Sequence, residues 1–141
     1  MKYRIARVDP SQPEVAHTLM MLQAACLPGD TPHNVDVGFW WIAENDDSAV
    51  GFAGMVPSLR WADTIYLCRS GVMHDHQGHG LQKRMIAARV RHARRLGYRW
   101  AITDTTDNPA SSNSLIAAGF KLFKPSRPWG FDHTNYWRLK L

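Results

Sequence analysis

Hydrophobic and polar positions change rhythm several times along the chain, and each change marks an element. "KYRIARVD" alternates in the manner of a half-buried strand. Ser11 and Glu14 in "SQPE" are spaced as a capping box, and Val15, Leu19, Leu22 and Cys26 follow at helical intervals until Pro28 and Gly29 stop the run. "FWWIAE" and "AVGFAGMV" flank the polar "NDDS", the pattern of a β-hairpin. "TIYLCRSGVM" supplies a fourth strand, rich in β-branched and aromatic residues. From Gly80 the period lengthens to that of a helix. Leu81, Met85, Ile86, Val90, Ala93 and Leu96 make an apolar stripe, Lys83, Arg84, Arg91, Arg94 and Arg95 fill much of the rest, and Gly97 ends it.

"YRWAITDT" reads as a fifth strand, and Asn108-Pro109 gives an N-cap and first-turn proline to a short helix that stops at Gly119. "FKLF" and "TNYWRLKL" are the last two strand candidates. A strand, a long helix and another strand in the middle of the chain require a parallel pair, set in an otherwise antiparallel sheet. The expected class is therefore mixed α/β. No shift in composition marks a boundary, so residues 1–141 are expected to form a single domain.

Composition narrows the function without naming it. Hydrophobic residues make up 45% and charged residues 21%, as in an ordinary globular protein. The first ten residues lack the apolar core of a signal peptide, and "VGFWWIA" falls far short of the ~20 residues of a membrane helix, so the expected location is the cytoplasm, with no membrane partner. Cys26 and Cys68 are not in CxxC spacing, which favours free thiols over a disulfide framework. A net charge of +5 points to an anionic partner.

"HDHQGHGLQKRM", residues 74–85, holds the most chemistry. His74, His76 and His79 could ligate a metal, though no cysteine or histidine pair at finger spacing accompanies them. The run could equally be a polar turn before a solvated helix. A third reading begins from the order strand, glycine turn, helix: the first N–H groups of a helix have no intrahelical partner, and Gly78 and Gly80 would let an anion come close to them. The spacing fits neither a P-loop nor a dinucleotide fingerprint.

"QGHGLQ", residues 77–82, at the start of a long helix, resembles the Gln/Arg-x-x-Gly-x-Gly/Ala motif of the GNAT N-acetyltransferase superfamily. "NPASSNSLIAAGF", residues 108–120, is similar to that family's second signature, through Asn108, Ser111 and Gly119-Phe120. The resemblance covers essentially the whole chain. It implies a twisted, mostly antiparallel sheet with helices on both faces and a parallel fourth and fifth strand joined by the crossover helix.

It further implies acetyl-coenzyme A as cosubstrate, lying between those two strands, and no metal. Val72, Met73 and His74 would pair with the pantetheine arm through their backbones. Gln77, Gly78, His79, Gly80, Leu81 and Gln82 would form the pyrophosphate loop. Lys83 or Arg84 would meet the ribose phosphate, and Asn108 and Ser111 would complete the cofactor site. The amide of Met73 or His74 is placed by the resemblance as an oxyanion donor.

An alkylammonium acceptor must lose a proton before it attacks, and Asp104, Asp107, His74 and His133 are the candidates to take it. The chain departs from the family pattern twice. Gln82 stands where Gly or Ala is usual, and Leu115 stands where many relatives carry the tyrosine that protonates the leaving thiolate. Ser112, Ser114, Tyr136 or water would then supply that proton. "RPWGFD", residues 127–132, would either form a loop over the acceptor pocket or serve only as a structural turn.

The reading is an N-acetyltransferase acting by direct attack of a primary amine, from a small molecule or a peptide, in a ternary complex. Its alternatives are a non-catalytic coenzyme A-binding protein of the same fold, and a nucleic-acid-binding protein using Arg84, Arg89, Arg91, Arg94 and Arg95. Nucleic acid is the weaker partner, because no recognition-helix motif accompanies those arginines. A last strand left at a sheet edge would allow a homodimer.

Overall fold

The computed structural model describes residues 2–141. Strands β1 (Tyr3–Val8), β2 (Phe39–Asn45), β3 (Ser48–Pro57), β4 (Thr64–Val72), β5 (Trp100–Thr105), β6 (Lys121–Phe123) and β7 (Asn135–Lys140) form one sheet in the order β1-β2-β3-β4-β5-β7-β6. The β4–β5 pairing is parallel and the other ladders are antiparallel. Helices α1 (Pro13–Cys26), α2 (Leu81–Arg95) and α3 (Pro109–Ala117) complete the mixed α/β fold read from the sequence, with α2 as the crossover.

Strand alternation explains how both faces are covered. On β2, Trp40 and Ile42 pack with Phe52 against Leu19 and Leu22 of α1. Trp41 points to the opposite face, where it joins Met55, Ile65, Leu67 and Trp137 beneath Ile86, Val90 and Ala93 of α2 and Leu115 of α3. The core is thus two apolar layers on one sheet.

Three expectations need correction. Ser11 does not cap α1: Gln12 is the N-cap, without a side-chain bond, because Pro13 at the first helical position forces Gln12 into extended backbone. The Ser11 amide instead meets Asp9 Oδ1 at 3.0 Å. Leu96 lies past the last helical residue and is largely exposed. The terminal strand β7 is not an edge; it is inserted between β5 and β6, leaving β1 and the three-residue β6 at the edges.

The β3–β4 ladder carries the irregularity that matters most. Met55 pairs with Leu67 but Ala53 pairs with Ser70, so Cys68 and Arg69 together oppose Gly54 in a β-bulge.

Candidate active site

β4 and β5 pair only at Thr64, Ile65 and Tyr66 against Trp100, Ala101 and Ile102. Beyond these residues the strands part, bridged once more where Thr103 Oγ1 donates to the Leu67 carbonyl at 2.8 Å. β4 remains laddered to β3 as far as Val72, and β5 to β7 as far as Thr105, so two stiff half-sheets diverge. The wedge between them opens into a cavity of about 360 Å³, lined by Leu67, Cys68, Ser70, Thr103, Thr105 and Ser114 among others.

The ladder decides which β4 backbone groups can serve a ligand there. Met73 N–H donates to the Val50 carbonyl at 2.8 Å, so of the two expected oxyanion donors, the amides of Met73 and His74, the first is already used by β3. Backbone groups alternate in direction along an antiparallel strand. Those of Gly71 and Met73 face β3, and those of Ser70 and Val72 face the wedge. Nothing in the sequence alone marks Ser70, because the alternation depends on a register that only the folded ladder fixes.

A second cavity, of about 440 Å³, continues from the first, sharing Gln82, Asn108, Ser111 and Ser114 with it and adding Val72, Gln77, Gly78, Gly80 and Lys83. Gly80 is the N-cap of α2 at φ +75°, and Gly78 sits at φ +83°. A Cβ built on either would meet no atom within 4 Å, so the space over this turn is open. No side chain caps α2 and no acid stands in its first turn. The uncapped N–H groups and the positive end of the helix therefore face the cavity, an arrangement suited to a phosphate.

Around this turn the predicted residues divide. Gln77 Nε2 bonds to the Val72 carbonyl at 3.2 Å, tying the loop to the end of β4. Leu81 is buried, so only its backbone is available, and the His79 ring packs against Tyr3. Lys83 lines the cavity, whereas Arg84 reaches the Tyr3 carbonyl at 3.2 Å. Asn108 Oδ1 accepts from the Ser111 amide at 3.1 Å and caps α3, so both residues of the second signature also order the wall of the wedge. His76 Nδ1 lies 3.0 Å from the Tyr3 hydroxyl. Among the described residues no three His, Cys, Asp or Glu side chains group as metal ligands.

The acid and base candidates separate as sharply. Asp104 lines the wedge, and its Oδ2 accepts from the Tyr66 hydroxyl at 2.6 Å and from Trp129 Nε1 at 2.9 Å. Burial first, then the Asp104 charge, pushes the Tyr66 phenol well up, so it remains a donor. Trp129 belongs to "RPWGFD", which folds back onto the site. Its ring packs on Tyr66 and Tyr136, and the Arg60 guanidinium lies 4.5 Å from its centroid. Tyr66, Trp129, Arg60, His33, Pro57 and Leu59 line a further cavity of about 440 Å³.

Ser112 is not among the residues lining the wedge: its hydroxyl pairs with Thr105 Oγ1, which also accepts from Trp137 Nε1. Tyr136 is buried, with its hydroxyl accepting the Gly130 amide at 2.7 Å. His133 and Asp107 pair with each other at 2.9 Å on the exposed surface. Ser114 and Leu115 do line the cavity.

Arg89 is the largest departure from expectation. It is one of the five arginines of the nucleic-acid reading, yet it is 3% exposed and lines the wedge. Nε donates to the Met85 carbonyl at 3.2 Å, and Nη1 donates to the carbonyl of Gly54, opposite the bulge, at 3.1 Å. No described carboxylate pairs with it, and burial pulls its pKa down to about 10. The sequence held the signal: Arg89 lies four residues from both Met85 and Ala93, within the apolar stripe. The helix surface proposed for nucleic acid thereby loses one of its five cations.

Known proteins share this fold. The acetyltransferase from Bacillus subtilis in complex with CoA superposes with a TM-score of 0.75 at 15% identity, covering 99% of each chain. An IAA acetyltransferase from Bacillus cereus gives 0.76 at 16% identity, covering 99% of this chain and 100% of that one. At such identities the likeness is one of fold. Human N-acetyltransferase 8B is 30% identical over 87 residues, which span 58% of this chain and 38% of that protein. Residues 8–120 match the Acetyltransferase (GNAT) family, and with both signatures flanking one wedge in the structure, the chain belongs to that family.

Proposed function

We infer that the protein transfers an acetyl group from acetyl-coenzyme A to a primary amine in a ternary complex. The observation that carries this reading is the split between β4 and β5 with the uncapped N-terminus of α2 at its mouth. Family membership, and the coenzyme seen in the Bacillus subtilis relative, support it.

The residues present suit the cosubstrate. The amides of residues 78–82 would take the pyrophosphate over the open glycine turn, with Lys83 adding charge. The wedge-facing backbone groups of Ser70 and the amide of Val72, whose carbonyl is held by Gln77, would pair with the pantetheine arm as an added strand. Bound there, acetyl-coenzyme A supplies a thioester carbonyl open to a nitrogen nucleophile. Asp104 takes the proton from the incoming ammonium; Tyr66 and Trp129 fix its Oδ2, and among the described residues Oδ1 has no partner. The cavity beside Trp129 would hold the acceptor, a small-molecule or peptide amine.

Titration calorimetry tests the reading. Acetyl-coenzyme A should bind the protein with micromolar affinity, and Gly80→Val should weaken binding by roughly tenfold or more, since a β-branched residue resists positive φ. An amine panel should then show turnover. No binding by the unaltered protein would sink the reading. Leu115 favours a second one: tight binding with no turnover of any amine would identify a non-catalytic coenzyme-binding protein.

A further inference from the structure

A cation taken out of water is costly unless something of opposite charge meets it. Arg89 is such a cation. Its side chain is buried in the wall of the wedge, and Nη2 hydrogen-bonds to no described residue. The other titratable groups around the cavity do not answer its charge. On β4, Arg69 is paired with Asp30 of the loop after α1 at 2.9 Å, and Cys68 is a thiol held neutral by burial. The Tyr66 phenol and the Asp104 carboxylate of β5 bind each other. What remains is a guanidinium facing a cavity whose two carboxylates, Asp30 and Asp104, are each engaged by other groups. Leu115, where a proton donor to a leaving thiolate would have been expected, lines the same cavity.

We propose that Arg89 is the charge complement of the coenzyme A sulfur, holding it as a thiolate so that no acid is needed at the position of Leu115. The proposal rests on the wedge being the coenzyme site. As the amine nitrogen bonds to the acyl carbon and the carbon–sulfur bond breaks, the bonding pair stays on sulfur beside the guanidinium. The proton lost by the amine passes through Asp104 to solvent, so none has to reach the sulfur. Arg89 and Leu115 are then one substitution in two places: a fixed positive charge does the work of an acid.

The ionisation of bound coenzyme A tests this directly. Ultraviolet thiolate absorbance of protein saturated with coenzyme A, minus that of protein saturated with desulfo-coenzyme A, isolates the ligand's own thiol from Cys26 and Cys68. In the unaltered protein that thiol should titrate at least about one unit below the thiol of coenzyme A free in solution, measured the same way. In Arg89→Gln, which keeps a donor for the Gly54 carbonyl, and in Arg89→Met, the shift should vanish; Arg89→Lys should restore part of it. Equal titration in the unaltered protein and a folded neutral variant would overturn the proposal. So would binding of succinyl-coenzyme A about tenfold tighter than acetyl-coenzyme A, lost in Arg89→Gln, because the guanidinium would then serve an acyl carboxylate. If the unaltered protein bound no coenzyme A, the coenzyme reading itself would fall; binding with an unshifted thiol would refute only the role of Arg89.

Discussion

Asp104 receives two donors on one oxygen, and this arrangement has separate consequences for turnover and for stability. If its carboxylate takes the proton of the ammonium, Asp104→Asn should lower kcat roughly 10²- to 10⁴-fold while leaving acetyl-coenzyme A affinity within about twofold, as measured by steady-state kinetics beside calorimetry. Tyr66 carries the stability consequence. Burial and Asp104 raise its phenol above the ~10 of an unfolded tyrosine, so above that pH the unfolded chain has lost a proton the folded one keeps. Stability should therefore fall as pH rises through about 10, and denaturant titrations of Tyr66→Phe should show a shallower decline. Side-chain chemistry was legible here only in part. Asp104 stood out as a carboxylate on a strand end, but which oxygen is occupied, and by whom, depends on a loop 25 residues downstream. Ser112 and Tyr136 are chemically apt, yet neither lines the wedge, and the hydroxyl of each is engaged by a neighbour.

At the scale of elements, the bulge at Cys68 and Arg69 links packing to the site. Gly54 opposes it, and a Cβ there would lie 2.5 Å from Cζ3 of the fully buried Trp40 ring. Gly54→Ala should cost about 1–3 kcal/mol, read from urea unfolding, because Trp40 is locked between His33 and Phe52 and cannot retreat. The carbonyl of the same residue holds Arg89, so the variant should also weaken coenzyme A binding. Hydrophobic period located α1 and α2, each of which buries one face, while α3 showed through its Asn108-Pro109 start and Gly119 stop. The period could not locate the bulge, which is a mismatch between two strands and has no signature in either alone.

For the whole molecule, sequence gave element order, the parallel pair and a shared surface for two distant signatures. Spatial order was less legible, because adjacency along a chain suggests adjacency in a sheet, and β7 breaks that rule by passing between β5 and β6. Thermal unfolding should nonetheless be a single cooperative transition, as both apolar layers share one sheet; coenzyme A at a hundred times its Kd should raise its midpoint by roughly 5–10 °C in calorimetric scans. The insertion of β7 also bears on the order of assembly during synthesis. β5 gains its antiparallel partner only once Asn135–Lys140 exist, some thirty residues after β5 itself and beyond the stretch matched to the family. A nascent chain halted after Phe123 would carry both signatures complete and still have only one wall of the cleft.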